Sequence, residues 1–323
     1  MNDLVYLDRR MSNAIKGILI ILIVFGHNHV LCPNTVSNGL MDYLYNFHIA
    51  GFFILPFFYD HQTKPTFRAI GKIIVRNWIP YTWICILCFI CFGLLKHHFE
   101  FSLETVAAFF QGTQTPIKQH FGFVFPWFLP TYCSMSILLL FALNNRNIYW
   151  LLLILFLVIS GLPYDVFYLL KNSVPFGLML AIYYFGIGVL SFLLNKWSKY
   201  SKWIALCMFV VSSILYIKHI SVFYLNIIFP ISFFLSLLLA IPYINCRFLR
   251  LLGENSLGIY LLHMFLVNIT FMILPHTIIM GVLGGIISLL VPLLINIFIK
   301  RFLILRMLLY PRNFDELCLK SNK

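Results

Sequence analysis

The sequence predicts an all-α polytopic membrane bundle of about ten transmembrane helices, with the N-terminus and C-terminus both cytoplasmic. Three observations carry that expectation. The 323 residues are 61% hydrophobic and only 10% charged, at a mean hydropathy of +0.92, whereas a soluble domain carries about 25% charged residues. Apolar runs such as Ile18–Phe25, Leu151–Ser160 and Ile286–Ile299 recur from end to end, and no hydrophilic block is long enough to fold separately. Residues 1–323 therefore read as one membrane-embedded domain. The basic residues, finally, divide unevenly between alternate connecting segments, as positive-inside sorting requires.

Crossing a hydrocarbon core of about 30 Å takes about 20 apolar residues. That length places helices near 13–32, 40–59, 76–95, 124–143 and 147–162, then near 174–194, 203–217, 222–243, 255–274 and 279–299. The first is followed by His27, Asn28 and His29 instead of a small-residue cleavage site, so it reads as a retained helix and not a removable signal peptide. The fifth is short and stops at Gly161, Leu162 and Pro163. Cys85, Cys88, Cys91, Cys133 and Cys207 fall within helices, where a small polarisable side chain fills space. With no His or carboxylate beside the first three on their segment, neither a disulfide framework nor a metal site is expected.

With the N-terminus inside, the cytoplasmic segments hold Arg9 and Arg10, then Lys64, Arg68, Lys72 and Arg76, then Arg146, then Lys196, Lys199 and Lys202, then Arg247 and Arg250. Lys300, Arg301, Arg306, Arg312, Lys320 and Lys323 follow the last helix. The outer loops hold only Lys96, Lys118, Lys171 and Lys218, which makes eighteen inside against four outside, with Lys16 left within the first helix. The formal net charge of +13 is thus dispersed in short clusters that orient the chain in lipid, and nucleic acid is not an expected partner. The longest outer loop, 96–122, contains Glu100, Glu104, Gln111, Gln114 and Gln119 and suits a re-entrant or lid element.

Ionisable groups inside a bilayer cost several kcal/mol unless paired or hydrated, so each is a functional candidate. Lys16 and His27 stand eleven residues apart, a net rotation of about 20° and a rise of about 16 Å, and so share one helical face. The competing reading makes Lys16 an interfacial side chain that snorkels to the headgroups and His27 a hydrogen-bonded packing residue. Gly26 permits close helix approach, and Asn28 and His29 continue the polar patch. An antiparallel hairpin brings His48, with Asn46 beside it, to about the depth of His27. Imidazole is the side chain best suited to take a proton from a hydroxyl near neutral pH, which points to O-acylation. Arg76, one turn beyond Lys72 at the expected cytoplasmic start of the third helix, joins Lys16 in a cationic mouth suited to the phosphates of a donor such as coenzyme A. The chain has no phosphate-loop, dinucleotide or zinc-protease motif.

Four early stretches and one late one resemble the membrane acyltransferase family 3, the bacterial acyltransferases that modify cell-surface glycans. Ala14-Ile15-Lys16-Gly17 with Val24-Phe25-Gly26-His27 is similar to the family's first-helix pattern of a basic residue, ten residues and a His. Tyr45 through Phe53 resembles its Phe-His segment, Val75-Arg76 through Pro80-Tyr81 its basic third helix, and Pro126-Trp127-Phe128-Leu129 its Trp-Phe-Leu segment. Leu252 through His263 is similar to the late helix. The chain departs from the pattern in carrying Lys16 where the family usually has Arg, and Ile-Leu-Pro after Phe53 in place of Leu-Ser-Gly.

The resemblance implies acetyl-CoA as a donor entering from the cytoplasm and His27 as the catalytic residue. The function expected is a multi-pass enzyme of the bacterial inner membrane, surrounded by membrane lipid. It would O-acetylate a sugar hydroxyl of a surface or extracellular polysaccharide, or of its lipid-linked precursor. His48 would orient the hydroxyl or stabilise the oxyanion, while Lys16, Lys72 and Arg76 hold the donor. Asn28, Asn46, Trp127, Glu254, Asn255 and His263 are candidates for the cavity wall. The alternatives are an O-succinyltransferase of the same family, a transporter or flippase of a lipid-linked sugar, and a non-catalytic partner in a polysaccharide export complex.

Overall fold

The computed structural model describes residues 6–33, 39–60, 63–97, 99, 101–198, 200–218, 225–311 and 316. Glu100 of the long outer loop, and Lys199, Arg312, Lys320 and Lys323 of the inside charge set, lie outside them. Among the described residues all regular structure is helical. The first third holds α1 (Arg9–Gly26), α2 (Leu40–Tyr45), α3 (His48–Ile54) and α4 (Phe67–Lys96). The middle holds α5 (Leu103–Gln111), α6 (Gln114–Phe121), α7 (Phe128–Asn144), α8 (Arg146–Ser160), α9 (Tyr164–Ser173) and α10 (Leu178–Trp197). The last third holds α11 (Ser201–Ile217), α12 (Leu225–Ile244), α13 (Arg247–Glu254), α14 (Ser256–Ile273), α15 (Ile278–Arg301) and α16 (Leu303–Leu309).

Among the described residues six helices are long and apolar enough to cross a membrane: Phe67–Lys96, Phe125–Asn144, Pro175–Trp197, Leu225–Ile244, Ser256–Ile273 and Ile278–Arg301. The apolar helices α8 and α11 are shorter, at 15 and 17 residues. Their outward faces are nonetheless those of lipid-solvated helices. On α8, Leu151, Ile154, Leu157 and Val158 are exposed while Leu152 and Phe156 face inward, an apolar surface on both sides that water would not tolerate.

Several boundaries differ from the hydropathy reading, each for a local reason. The expected second helix, 40–59, is three pieces: α2, α3 and a 3-10 turn over Leu55–Phe58 with Pro56 near its start. The break falls at Phe47, whose φ of −141° is not helical. The third helix starts at Phe67 instead of residue 76, because the Thr66 hydroxyl accepts the Ala69 N–H at 3.2 Å and caps it. The long loop 96–122, expected to be outside, is not open chain. Ser102 and Thr105 form a capping box for α5, Gly112 and Gly122 end α5 and α6 with φ of 62° and 76°, and the Tyr81 hydroxyl donates to Phe109 O at 2.8 Å.

The chain forms two compact units, each assembled from distant stretches. Residues 1–60 and 187–298 make the first, which contains α1–α3, the later part of α10, α11–α14 and nearly all of α15. Residues 61–186 and 299–323 make the second, with α4–α9, the earlier part of α10 and α16. The second unit is cored by α4 against α7 and the α5–α6 pair, where Tyr81, Cys85, Cys88, Ile117 and Cys133 are buried.

Candidate active site

The site is built on α1. Near its start, α1 meets α13 backbone to backbone: a Cβ at Gly17 would lie 2.1 Å from Leu249 O, and one at Gly253 only 1.8 Å from Asn13 O. No other residue fits either position at this helix spacing. Asn13 Nδ2 also donates to Glu254 Oε1 at 3.1 Å. Near its end, α1 is pressed against α15, where a Cβ at Gly285 would meet the Phe25 ring at 2.7 Å. Asn28 ties the two together, with Nδ2 donating to Gly281 O at 2.7 Å while Oδ1 accepts the Val30 and Leu31 N–H groups at 3.1 and 3.2 Å. Asn28 is therefore spent on holding the turn after α1.

The 45–59 segment runs antiparallel beside α1. Lys16 Nζ lies 5.6 Å from the centre of the Tyr59 ring, a Cβ at Gly51 would touch the Leu19 side chain at 2.6 Å, and His27 meets Tyr45. Lys16 and His27 thus both turn to the same partner segment, and Tyr59 is itself fixed by Ser12 across a 2.9 Å hydroxyl contact.

His27, the residue that caps the end of α1, lies at the centre of a polar cluster in the first unit. The Tyr45 hydroxyl lies 2.7 Å from its Nδ1 and 3.1 Å from its Nε2. The His263 ring is 5.2 Å away between centroids, and Tyr45 stands edge-on to both His27 and His48, at 5.3 and 4.9 Å. His48 and His263 are 0% exposed, His27 is half-buried and Tyr45 is 37% exposed, so the cluster opens on its Tyr45 and His27 side.

The backbone sets the tautomers. His48 Nδ1 bonds Leu44 O, a carbonyl at the break between α2 and α3 that also accepts the Phe47 N–H at 3.2 Å, and His263 Nδ1 bonds Tyr260 O at 2.6 Å. A carbonyl accepts only, so Nδ1 carries the proton in both neutral rings and Nε2 is left as an acceptor. His48 Nε2 is buried and has no hydrogen-bond partner among the described residues.

The remaining sequence candidates make other contacts. Asn46 Nδ2 donates to Asp42 O at 2.8 Å within its own turn. Asn255, buried at the joint of α13 and α14, donates to Leu251 O and accepts from Asn296 Nδ2 at 2.7 Å; Glu254 is exposed. In the second unit, Lys72 and Arg76 are exposed on successive turns of α4, and Trp127 is buried in a 3-10 turn, edge-on to Phe128. Sequence reasoning missed Tyr45. Its one signal was a phenol three residues before His48, inside an apolar segment.

Among the described residues, six apolar helices of membrane-crossing length are those of a multi-pass membrane protein, and the His–Tyr cluster is a polar centre within it. The family model of the Acyl_transf_3 acyltransferase domain matches residues 9–297, from the first residue of α1 to near the end of α15. The chain belongs to that family and is a membrane acyltransferase. No curated protein and no solved structure matches it significantly.

Proposed function

We propose that this acyltransferase moves an acetyl group from acetyl-CoA to a hydroxyl of a surface or extracellular glycan, or of its lipid-linked precursor. Its setting is the bacterial inner membrane, crossed about ten times with both termini cytoplasmic. The observation that carries this reading is the placement of His27 among Tyr45, His48 and His263 in a chain whose family transfers acyl groups.

His27 acts as the general base, taking the proton of the acceptor hydroxyl as its oxygen attacks the thioester carbonyl, and returning it to the departing thiolate. His48 cannot serve an oxyanion from a neutral ring whose only N–H is spent on Leu44 O. Fully buried and edge-on to Tyr45 at 4.9 Å, it positions that ring instead. Lys72 and Arg76, exposed one turn apart on α4, offer the charge that a donor's pyrophosphate takes up. Lys16, against Tyr59, is the corresponding cation of α1.

Mass spectrometry of the host's surface glycan, with and without the protein, tests the reading. Loss of O-acetyl esters is the expected result. A glycan whose ester content is the same in both strains would remove it as the acceptor.

A further inference from the structure

We infer that Tyr45 is a second catalytic residue, the hydroxyl that donates to the oxyanion formed when the acceptor attacks the thioester. The inference rests on the reading of His27 as general base, and it is reached by accounting for the protons of the cluster.

Acyl transfer places a developing negative charge on the former carbonyl oxygen, and a donor must be aimed at it. His48 and His263 spend their Nδ1 protons on Leu44 O and Tyr260 O, so in the neutral state neither can donate from Nε2. The Asn28 amide is bound to Gly281 O and the Asn46 amide to Asp42 O. His27 must keep a lone pair for the incoming hydroxyl. Tyr45 combines three features that none of these has together: a rotatable O–H, exposure at 37% and a hydroxyl within hydrogen-bond distance of His27.

The Tyr45 oxygen lies 2.7 Å from His27 Nδ1 and 3.1 Å from Nε2. We take Nδ1 to carry the proton and face the phenol, which frees the phenolic proton and leaves Nε2 as the base. The 3.1 Å approach of the same oxygen to Nε2 is the contact that an entering hydroxyl displaces. The acceptor proton then moves to Nε2, the new C–O bond forms, and the carbonyl electron pair becomes the oxyanion held by the Tyr45 O–H. The bond from His27 Nδ1 to the phenol strengthens as the ring becomes cationic, polarising the phenol when the oxyanion needs it. Collapse breaks the C–S bond, and the thiolate takes the proton from Nε2.

The test is Tyr45→Phe, which keeps the ring edges against His27 and His48 and removes only the oxygen. Transfer from acetyl-CoA by the purified full chain in lipid is followed per folded molecule, beside His27→Ala. The expected result is a fall in kcat of about 10²–10³-fold with KM for the donor unchanged, the usual consequence of losing one oxyanion donor. A kcat within threefold of wild type, or a change confined to KM, would overturn the assignment. If Tyr45→Phe is normal and His27→Ala inactive, Tyr45 falls and the base reading stands. If both turn over normally, the proposed function itself fails.

Discussion

His27 and His29 stand two residues apart at the end of the same helix, yet the fold gives them different company. His27 meets a phenol at 2.7 Å and a second imidazole at 5.2 Å. His29 meets the edge of Phe271 at 5.4 Å, and Phe271 is stacked on His276 at 4.3 Å. Residue type and place in the chain therefore do not fix the surroundings of a histidine. What separates the two is the turn between them, where Asn28 carries the chain away from α1 and fastens it to α15. A polar cluster that the helix end holds in place can do proton chemistry. An imidazole resting on aromatic rings a few ångströms further along packs.

The strongest way to break this contrast is to move α1. Gly253→Leu puts a side chain where Asn13 O already stands, 1.8 Å from the required Cβ. A backbone cannot step aside as a side chain can, so the cost exceeds the usual 1–3 kcal/mol of overpacking. The expected outcome is near-complete loss of monodisperse protein in detergent, read by size-exclusion chromatography. Gly161→Ala is the matched control, since its Cβ would come no nearer than 3.5 Å to Leu157 O, and it should elute as wild type.

Asn28→Ala has an intermediate effect. It leaves the buried Gly281 carbonyl and the Val30 and Leu31 N–H groups without their partner, at a cost of about 1–3 kcal/mol. Thermal unfolding should begin earlier, and transfer per folded molecule should fall only several-fold, because His27 remains on α1. An unchanged melting temperature would mean that the turn is held by other contacts. The smallest effect is expected of His29→Ala, which removes an aromatic edge contact of about 0.5–1.5 kcal/mol. Turnover per folded molecule should stay within about threefold of wild type. Loss of turnover in this variant would move the base to the neighbouring imidazole.

Much of this was legible in the sequence, because lipid imposes few rules and imposes them strictly. Apolar length located the helices, and the expense of burying ionisable groups singled out Lys16, His27 and His48. Hydropathy averages over a turn, however, so it read 40–59 as one helix and missed the break at Phe47 that brings His48 Nδ1 onto Leu44 O. It also began the third helix at its first long apolar run and passed over the Thr66 cap, which starts the helix nine residues earlier than expected, at Phe67. Tyr45 was invisible for a different reason. Tyrosine is common in membrane segments, and only the antiparallel pairing of α1 with the 45–59 segment shows that its hydroxyl reaches His27. His263 was only a cavity candidate, since nothing in its own segment announces that α14 brings its ring to 5.2 Å from His27.

The central claim is that His27 moves the proton. Purified His27→Ala in lipid nanodiscs should bind acetyl-CoA within about twofold of wild type by calorimetry, while single-turnover transfer to the glycan falls about 10²–10⁴-fold, the usual contribution of a positioned general base. Near-normal transfer by folded His27→Ala protein would contradict the account.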